Sequence, residues 1–429
     1  MNYQETLSFL FSRLPAYQRI GRAAYKEGLG NTIALDNYFA NPHTKFRTVH
    51  VAGTNGKGSV SHMLASVFQT MGLKTGLYTS PHLRDFRERI RIDGIMLPET
   101  EVTGFVENHK AIIEAVSPSF FEMTVAMAFD YFARESVDIA VIEVGMGGRL
   151  DSTNIITPVL SVITNIGHDH MEFLGETLAK VAAEKGGIIK PGVPVVVGES
   201  LPETRPVFEQ IASDNGSVLK FADEYYTCRL GRSEASSAIR GYVLLAKSDG
   251  YRTEGLIPLT GDYQARNLAT LALAAGMMPA GYTPSVNQLA DGIEQVVKLT
   301  GLQGRWQVLR HDPLVIADTG HNREGIEYVV RQLSTTPHSR LHMVIGMVND
   351  KDLATVLPLL PRDAFYYFTK ASIPRALDEK RLKEAASYYG LSGEAYGDVA
   401  TAYRTALANA DRYDLVFIGG STFVVAEVV

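Results

Sequence analysis

The stretch from Val49 to Gly72, VHVAGTNGKGSVSHMLASVFQTMG, constrains the fold of this chain more than any other segment. It begins as an apolar strand pattern, passes through a turn that contains Gly53, Gly56 and Gly58, and continues as a helix pattern. The i, i+3, i+4, i+7 spacing predicts a helix with one buried face, formed by Val60, Met63, Leu64, Val67, Phe68 and Met71. The segment therefore predicts a strand–loop–helix unit of an α/β domain.

The glycine-rich turn has the properties of an anion site. Backbone N–H groups of such a turn point inward, and the start of the following helix carries partial positive charge. Lys57 would reach the outer phosphates of a nucleotide, and Ser59 would either cap the helix or face the metal–phosphate cluster. The loop GTNGKGS departs from G-x-x-x-x-G-K-[ST] because Gly58 separates Lys57 from Ser59. A plain βα turn is the alternative, and the register of strand, lysine, hydroxyl and helix argues against it.

Strand and helix patterns alternate along most of the chain. RTVHVAG, VDIAVIEVG, VLSVITNIG and VPVVVG are continuously apolar, which is typical of strands buried on both faces. We therefore predict an α/β fold with a mostly parallel P-loop sheet domain and a β insertion at YYTCRL and GYVLLAKS. A second alternation begins beyond VVKLTGLQGRWQVL, so we place an ATP-binding domain at 1–298 and a smaller C-terminal α/β domain at 299–429.

Composition and charge argue against several classes of protein. The net charge of −6 over 429 residues argues against a generic nucleic-acid or membrane-surface binder. Apolar runs fall short of the roughly 20 residues that cross a bilayer, and the N-terminus lacks the pattern of a signal peptide. The single cysteine, Cys228, has no partner for an internal disulfide. We expect a cytoplasmic monomer without nucleic-acid or membrane partners.

Polar residues that follow the predicted strands are candidate ligands for Mg²⁺. This ion accompanies nucleoside triphosphates and prefers oxygen ligands, and ligands gather at the carboxyl ends of strands in open α/β sheets. Glu143 ends one strand, although it would alternatively cap a neighbouring turn. His168, Asp169 and His170 end the next strand, and we expect one of them to face the phosphates. Ser80 lies in the turn of LYTSPH, a weak signal by itself.

Nine motifs, in this order, resemble the folylpolyglutamate synthase and dihydrofolate synthase family within the Mur ligase superfamily. They run from about residue 47 to 325: HVAGTNGKGSV, YTSPHL with ERIRIDG, FEMT, EVGMGGRLDSTN, SVITNIGHDHMEFLG, EKGGIIKPG, GDYQARN, GRWQVL and DTGHNREG. The resemblance implies an ATP-dependent amide ligase that adds L-glutamate to dihydropteroate, to folate (poly)glutamates, or to both. A carboxylate would attack the γ-phosphate of ATP, and the amine of glutamate would attack the resulting acyl phosphate.

The resemblance also implies a set of nucleotide contacts. In this sequence they are Gly56, Lys57, Gly58, Ser59, Asn267, Arg305 and Asp318. Arg305 would stabilise the negative charge that develops during transfer. Because Arg305 and Asp318 lie in the predicted second domain, we expect ATP to bind in a cleft between the domains, with His321 and Asn322 beside it.

The implied metal site would hold two Mg²⁺ ions on Ser80, Glu143 and His170, with His170 preferred over His168 because the family's histidine directly follows an aspartate. Lys185, in EKGG, matches a lysine that is typically carbamylated in the family and then serves as a metal ligand. Carbamylation needs a neutral amine, which burial favours. On local grounds alone, Lys185 is a cation in the last turn of a helix, where it suits the helix dipole.

The resemblance implies a substrate site for a pterin, lined by Phe121, Glu122, Thr124, Arg149, Asp151 and Asn154. An aromatic ring and a carboxylate that accepts ring N–H bonds would suit such a ligand. Without the resemblance, FEMT predicts only the start of a helix. Several residues depart from the family pattern without removing a proposed ligand: Ser152, Gly187, Thr319, Gly320 and Arg323.

Three alternatives stay open at this point. In the first alternative, the chain has folylpolyglutamate synthase activity alone. The motifs do not separate this activity from dihydrofolate synthesis, because both use the same ATP machinery. It would be a cell-wall Mur-type ligase that adds an amino acid to a nucleotide-sugar peptide, against which YTSPH and FEMT argue. It would be a nucleotide-binding regulatory module without ligation, which leaves Glu143, His170 and Lys185 unexplained.

Overall fold

The chain forms two compact units in the computed structural model, which describes residues 1–15, 28–169, 171–232, 238–349 and 352–429. The first unit comprises Met1–Arg229, Tyr242–Leu256 and Ala265–Gly301. The second comprises Leu230–Gly241, Ile257–Gln264 and Leu302–Val429. The domain division at residues 298 and 299 stays a prediction.

A mostly parallel sheet forms the centre of the first unit. Its strands are β1 (Arg47–Ala52), β2 (Thr75–Tyr78), β3 (Ile90–Ile92), β4 (Ile95–Met96), β5 (Ile139–Glu143), β6 (Leu160–Ile163), β7 (Val195–Val197) and β8 (Leu219–Phe221). They lie in the order β4-β3-β2-β5-β1-β6-β7-β8. The pairs from β2 to β8 are parallel, whereas β3 pairs antiparallel with β2 and β4. The continuously apolar strands are buried as predicted, because helices cover such a sheet on both faces.

Helices connect and cover these strands. Their bounds are Tyr3–Arg13, Gly30–Tyr38, Lys57–Thr70, Glu99–Asn108, Lys110–Val116, Phe120–Arg134, Met171–Leu174, Leu178–Gly186, Arg205–Asp214, Ala222–Tyr225, Gln264–Gly276, Val286–Glu294 and Val296–Thr300, with 3₁₀ turns at Pro42–Thr44, Phe86–Arg89 and Ser152–Ile155. The predicted β insertion is a separate three-stranded sheet in the order β11-β10-β9, formed by β9 (Tyr226–Leu230), β10 (Arg240–Ala246) and β11 (Arg252–Ile257).

The Lys57–Thr70 helix is buried on every side, so the prediction of one buried face is wrong. Residues from Gly58 to Phe68 are all buried, including Ser61 and Ser66 between the apolar positions. The helix packs on β1, β2 and β5 and is covered in turn by the Val286–Glu294 and Val296–Thr300 helices. The hydroxyl of Ser66 donates to the carbonyl of Gly292 at 2.6 Å, which satisfies a polar group on the second buried face.

The second unit contains a six-stranded sheet of its own. Its strands are β12 (Gln307–Arg310), β13 (Leu314–Ala317), β14 (Leu341–Ile345), β15 (Phe365–Phe368), β16 (Ser392–Ala395) and β17 (Leu415–Gly419), in the order β12-β13-β17-β14-β15-β16. Only β12 runs antiparallel to its neighbour. The helices are Arg323–Thr335, Leu353–Val356, Glu379–Ser387, Val399–Asn409 and Thr422–Ala426, with a 3₁₀ turn at Leu357–Leu359.

These two sheets confirm the predicted fold class, a large mostly parallel sheet with a β insertion and a smaller C-terminal α/β unit. Among the described helices, none combines the length and apolar character that a membrane crossing requires.

The close contact between the Lys57–Thr70 helix and the Val286–Glu294 helix leads to a stability prediction for Gly292. A Cβ at Gly292 would lie 2.6 Å from Cα of Val67, so Gly292→Ala must push two packed helices apart. We expect this substitution to lower the free energy of unfolding by about 1–3 kcal/mol, measured by thermal and urea denaturation. Gly104→Ala is the matched control, because its Cβ meets only the side chain of Asn108 at 3.9 Å. The control should stabilise the helix by up to about 1 kcal/mol, and equal effects of the two substitutions would contradict the prediction.

Candidate active site

The loop between β1 and the Lys57–Thr70 helix is built on two glycines in the left-handed region. Gly53 has φ 146° and Gly56 has φ 85°, conformations that residues with a Cβ rarely adopt. Gly56 is the N-cap residue of the helix and Ser59 is its third residue, so the predicted capping role of Ser59 is wrong. Capping by a left-handed glycine leaves the loop without a side-chain cap and directs the first N–H groups of the helix at the loop.

The loop that follows β6 holds the glycine loop in place. The N–H of Thr54 donates to the carbonyl of Asn165 at 3.0 Å, and the N–H of Asn55 donates to Oδ1 of Asn165 at 2.8 Å. The hydroxyl of Thr164 donates to the carbonyl of Asn55 at 2.5 Å. A Cβ at Gly56 would overlap Oδ1 of Asn267, so this predicted nucleotide contact lies directly against the loop. The loop is therefore shaped by contacts from neighbouring segments as well as by its own glycines.

Two lysines share one carbonyl of the glycine loop. Nζ of Lys57 donates to the carbonyls of Gly53 at 3.0 Å and Thr54 at 3.2 Å, and Nζ of Lys185 donates to the carbonyl of Gly53 at 2.9 Å. Lys185 lies in the last turn of the Leu178–Gly186 helix, as predicted, and is 4% exposed. Burial and then the nearby charge of Lys57 lower the pKa of Lys185 from 10.5 to about 7. A substantial fraction of this amine is therefore neutral near pH 7.

The structure brings together two of the predicted metal ligands. Because β2 and β5 are parallel neighbours, Ser80 and Glu143 at their carboxyl ends lie side by side. The N–H of Ser80 donates to Oε2 of the buried Glu143 at 3.2 Å. His170 lies outside the described residues, and His168 is exposed. Among the residues that the structure does describe, no group of three or more His, Cys, Asp and Glu side chains is spaced to hold a metal ion.

The predicted substrate residues of FEMT begin a helix, as the local pattern predicts. The Phe120–Arg134 helix starts with a capping box, in which the N–H of Ser119 donates to Oε2 of Glu122 at 2.6 Å. Asn31 also donates to Oε2 of Glu122, at 3.3 Å. The hydroxyl of Thr124 donates to the carbonyl of Phe121 at 2.9 Å. Glu122 and Thr124 thus have partners within the protein, and their contact with a substrate stays a prediction.

The other predicted substrate residues organise the loop that follows β5. Asp151 accepts N–H bonds from Gly145 at 3.0 Å, Met146 at 2.9 Å and Thr153 at 3.0 Å. Burial raises the pKa of Asp151 despite these bonds. Nδ2 of Asn154 donates to the carbonyls of Arg149 and Gly187, and the side chain of the exposed Arg149 pairs with Glu184. These contacts tie the turn after Glu143 to the end of the helix that carries Lys185.

The second unit contains the remaining predicted nucleotide contacts. The buried carboxylate of Asp318 accepts hydrogen bonds from the hydroxyl of Tyr263 at 2.6 Å and from the N–H groups of Trp306 and Gly320, each at 2.7 Å. Burial raises the pKa of Asp318. The guanidinium of Arg305 donates to the carbonyl of Gly304 and to the hydroxyl of Thr319.

Two further residues of this loop, three and four positions after Asp318, also have defined contacts. His321 contacts the carbonyl of Thr319 through Nδ1, at 2.9 Å, and Asn322 caps the Arg323–Thr335 helix. Asp318 and Asn322 thus contribute to the local structure of the loop that follows β13.

Sequence reasoning missed Asn165 and Tyr263. Asn165 was visible in VITNIG as an amide directly after a buried strand, at the position where side chains of neighbouring parallel strands meet. Tyr263 lies 55 residues from Asp318 along the chain, and no local pattern connects the two.

Comparison with known proteins identifies both halves of the chain. Residues 51–276 match the Mur ligase middle domain, and residues 304–422 match the Mur ligase, glutamate ligase domain. The dihydrofolate synthase/folylpolyglutamate synthase of Bacillus subtilis is 31% identical over 435 residues, which cover 99% of this chain and 98% of that protein. A probable bifunctional folylpolyglutamate synthase/dihydropteroate synthase of Haloferax volcanii is 33% identical, and this chain spans 50% of its length.

Solved structures give the same result. E. coli FolC in complex with DHPP and ADP superposes with a TM-score of 0.84 and 29% identity, over 100% of this chain and 97% of that one. A bifunctional folylpolyglutamate synthase/dihydrofolate synthase with Mn, AMPPNP and L-glutamate bound has a TM-score of 0.83 and 28% identity, over 100% and 97% of the two chains.

The lowered pKa of Lys185 predicts how stability depends on pH. Between about pH 7 and 10 the unfolded chain binds a proton at this lysine that the folded chain has released, so the folded state gains stability as pH rises through this window. Lys185→Met should remove this pH dependence. At pH 7 its free energy of unfolding should exceed that of the parent, and the difference between the two should shrink toward pH 10. The measurement is urea denaturation at several pH values in buffers freed of carbon dioxide, which keeps the amine unmodified.

The matched control is Lys180→Met, an exposed lysine of the same helix. Its difference in unfolding free energy from the parent should stay constant over the same range. A Lys185→Met gap that does not change with pH would contradict the lowered pKa.

Proposed function

Because this chain belongs to the dihydrofolate synthase/folylpolyglutamate synthase family of Mur ligases, we propose that it adds L-glutamate to dihydropteroate, to folate (poly)glutamates, or to both, with ATP as the energy source. The predicted family and enzyme class, an ATP-dependent acid–amino-acid ligase, are confirmed. One observation supports the proposed use of ATP at this site most directly: Lys57 and Lys185 both donate to the carbonyl of Gly53, in a loop suited to bind phosphate.

The proposed reaction has two steps. An oxygen of the acceptor carboxylate bonds to the γ-phosphorus of ATP, and ADP leaves. The amine of glutamate then forms a C–N bond at the activated carbonyl, loses a proton, and displaces phosphate as the C–O bond breaks. Such transfers depend on positioning and charge neutralisation, which Lys57 and the N–H groups of Gly56, Gly58 and Ser59 would supply at the phosphates.

The donors around Ser80 fit Mg²⁺. The hydroxyl of Ser80 and the carboxylate of Glu143 offer oxygen atoms at adjacent strand ends, and a carbamate on Lys185 would add a third oxygen donor. We propose that these residues and His170 hold up to two Mg²⁺ ions, which would neutralise charge on the triphosphate when bound. The low pKa of Lys185 supports carbamylation, because only the neutral amine adds carbon dioxide.

The remaining assignments are proposals that rest on the family pattern. Asn267, Arg305 and Asp318 would contact ATP. The pterin would be bound by Phe121, Glu122, Thr124, Arg149, Asp151 and Asn154. We also propose a cytoplasmic monomer that acts on small molecules and binds neither nucleic acid nor membrane.

A phosphate-release assay with glutamate, ATP and either dihydropteroate or tetrahydrofolate tests the function and separates the two activities. Lys57→Ala should lower turnover at least about 100-fold, because it removes a charge that acts on the transferring phosphoryl group. The thermal midpoint should change little, since Lys57 is half-buried and bonds only to carbonyls of its own loop.

The control for this variant is Lys180→Ala, which removes an exposed lysine elsewhere in the unit. Near-normal turnover in Lys57→Ala would refute the role of Lys57. No phosphate release by the parent protein with either acceptor would favour the non-enzymatic alternative.

The carbamate has a separate test. Lys185→Ala should lose turnover and regain part of it when short carboxylic acids such as formate or acetate are added, because the acid would occupy the space of the carbamate. The same acids should not rescue Lys57→Ala. Failure of every short acid to restore Lys185→Ala would leave the carbamate unsupported.

A further inference from the structure

Arg89 is a buried cation of the first unit that the proposed mechanism does not use. It ends the 3₁₀ turn Phe86–Arg89 and is 3% exposed. Its Nε donates to Nδ1 of His82 at 2.7 Å, and its guanidinium lies 5.3 Å from the centre of the Phe120 ring. Its charge also interacts electrostatically with the hydroxyl of Tyr78. These partners are neutral, so they orient the guanidinium without cancelling its charge.

No carboxylate within the described ranges forms an ion pair with Arg89 at 4.0 Å or less. Glu88 and Glu143 influence it electrostatically from beyond that distance. The carboxylate of Glu88 already accepts N–H bonds from Leu83, Arg84 and Asp85. A buried charge without a close counter-ion is costly, and an apolar side chain of similar length would fill the same space more stably. The charge itself therefore calls for a functional explanation.

The hydrogen bond of Arg89 to His82 and its electrostatic interaction with Tyr78 lead to the two groups of predicted site residues. His82 lies two residues after Ser80, in the same turn. On the other side, Thr124 donates its only proton to the carbonyl of Phe121, so it accepts from the hydroxyl of Tyr78 at 2.9 Å. The hydroxyl of Tyr78 in turn interacts electrostatically with the charge of Arg89. Arg89 thus connects the turn of Ser80 with the start of the helix that carries Phe121 and Thr124.

We propose that Arg89 determines specificity for an anionic acceptor: its buried charge favours the free carboxylate of the pteroyl substrate over a neutral acceptor. The inference rests on the proposed function. Arg89 acts as a positioning residue, through its field and through the orientation of His82. In a buried site the field of a fixed cation is weakly screened, so it acts on a carboxylate that it does not touch.

The test compares two ligands that differ in charge alone, dihydropteroate and its primary carboxamide. Equilibrium binding of each is measured by titration calorimetry for the parent protein and for Arg89→Met, which keeps the side-chain length and removes the charge. The parent should bind the acid about tenfold more tightly than the amide, or more. Arg89→Met should bind both with the affinity of the parent for the amide and keep its affinity for ATP. Arg89→Lys should retain part of the preference for the acid, because lysine keeps the positive charge but lacks the planar guanidinium group.

Arg91→Met is the matched control. Arg91 is also buried, but its NH1 group donates to the carbonyl of Gly94, away from Ser80 and Thr124. This variant should keep the acid-to-amide ratio of the parent. The thermal midpoint of Arg89→Met should equal or exceed that of the parent, whereas a residue needed only for packing would show a loss of stability with an unchanged ratio.

The outcomes separate this inference from the proposed function. A parent protein that binds neither ligand, and releases no phosphate, refutes the proposed function. A parent that binds acid and amide equally refutes the role of Arg89 whether or not any variant folds. An unchanged ratio in a folded Arg89→Met, or loss of the preference in Arg91→Met as well, also overturns it.

Discussion

The carbonyl of Gly53 is the acceptor on which two lysines of the first unit converge. Two lysines from different helices donate to it, at 2.9 and 3.0 Å, and their mutual repulsion adds to burial in lowering the pKa of Lys185. Gly53 itself must be glycine, both because of its φ of 146° and because a Cβ there would overlap the hydroxyl of Thr164. The backbone conformation at Gly53 thus brings the two lysines to one acceptor, while burial contributes most to the lowered pKa of Lys185.

Parallel pairing explains why residues distant in sequence meet around this loop. β1 lies between β5 and β6, and β5 also pairs with β2, so four strands end at one edge of the sheet. Glu143 is the last residue of one of these strands, and Ser80 and Asn165 each lie two residues beyond the end of another. Because the strands are buried and hydrogen-bonded on both sides, their ends are positioned rigidly. The first residues of the short loops beyond them are therefore also held in place.

Because residues at the carboxyl ends of neighbouring parallel strands meet, several residues of the candidate site could be predicted from sequence. Continuous apolar runs identified strands, and the polar residues at and just beyond strand ends included the contacting pair Ser80 and Glu143. The cap of the central helix could not be predicted in this way, because a left-handed Gly56 and a helical Ser59 differ only in backbone conformation. The burial of Ser66 was likewise hidden, since its hydroxyl bonds to a helix more than 200 residues away along the chain.

The pterin assignments illustrate a different limit. Asp151 and Glu122 were predicted as substrate contacts from the family resemblance, whereas the structure gives their carboxylates several partners inside the protein. The two roles are compatible in a carboxylate, which has about four lone-pair positions. A substrate bond would then use a residue whose position is already fixed by the turn after Glu143 or by the helix cap. If the predicted pterin and metal residues act as proposed, the backbone of the loop after Glu143 would couple them, so binding of one would depend on the placement of the other.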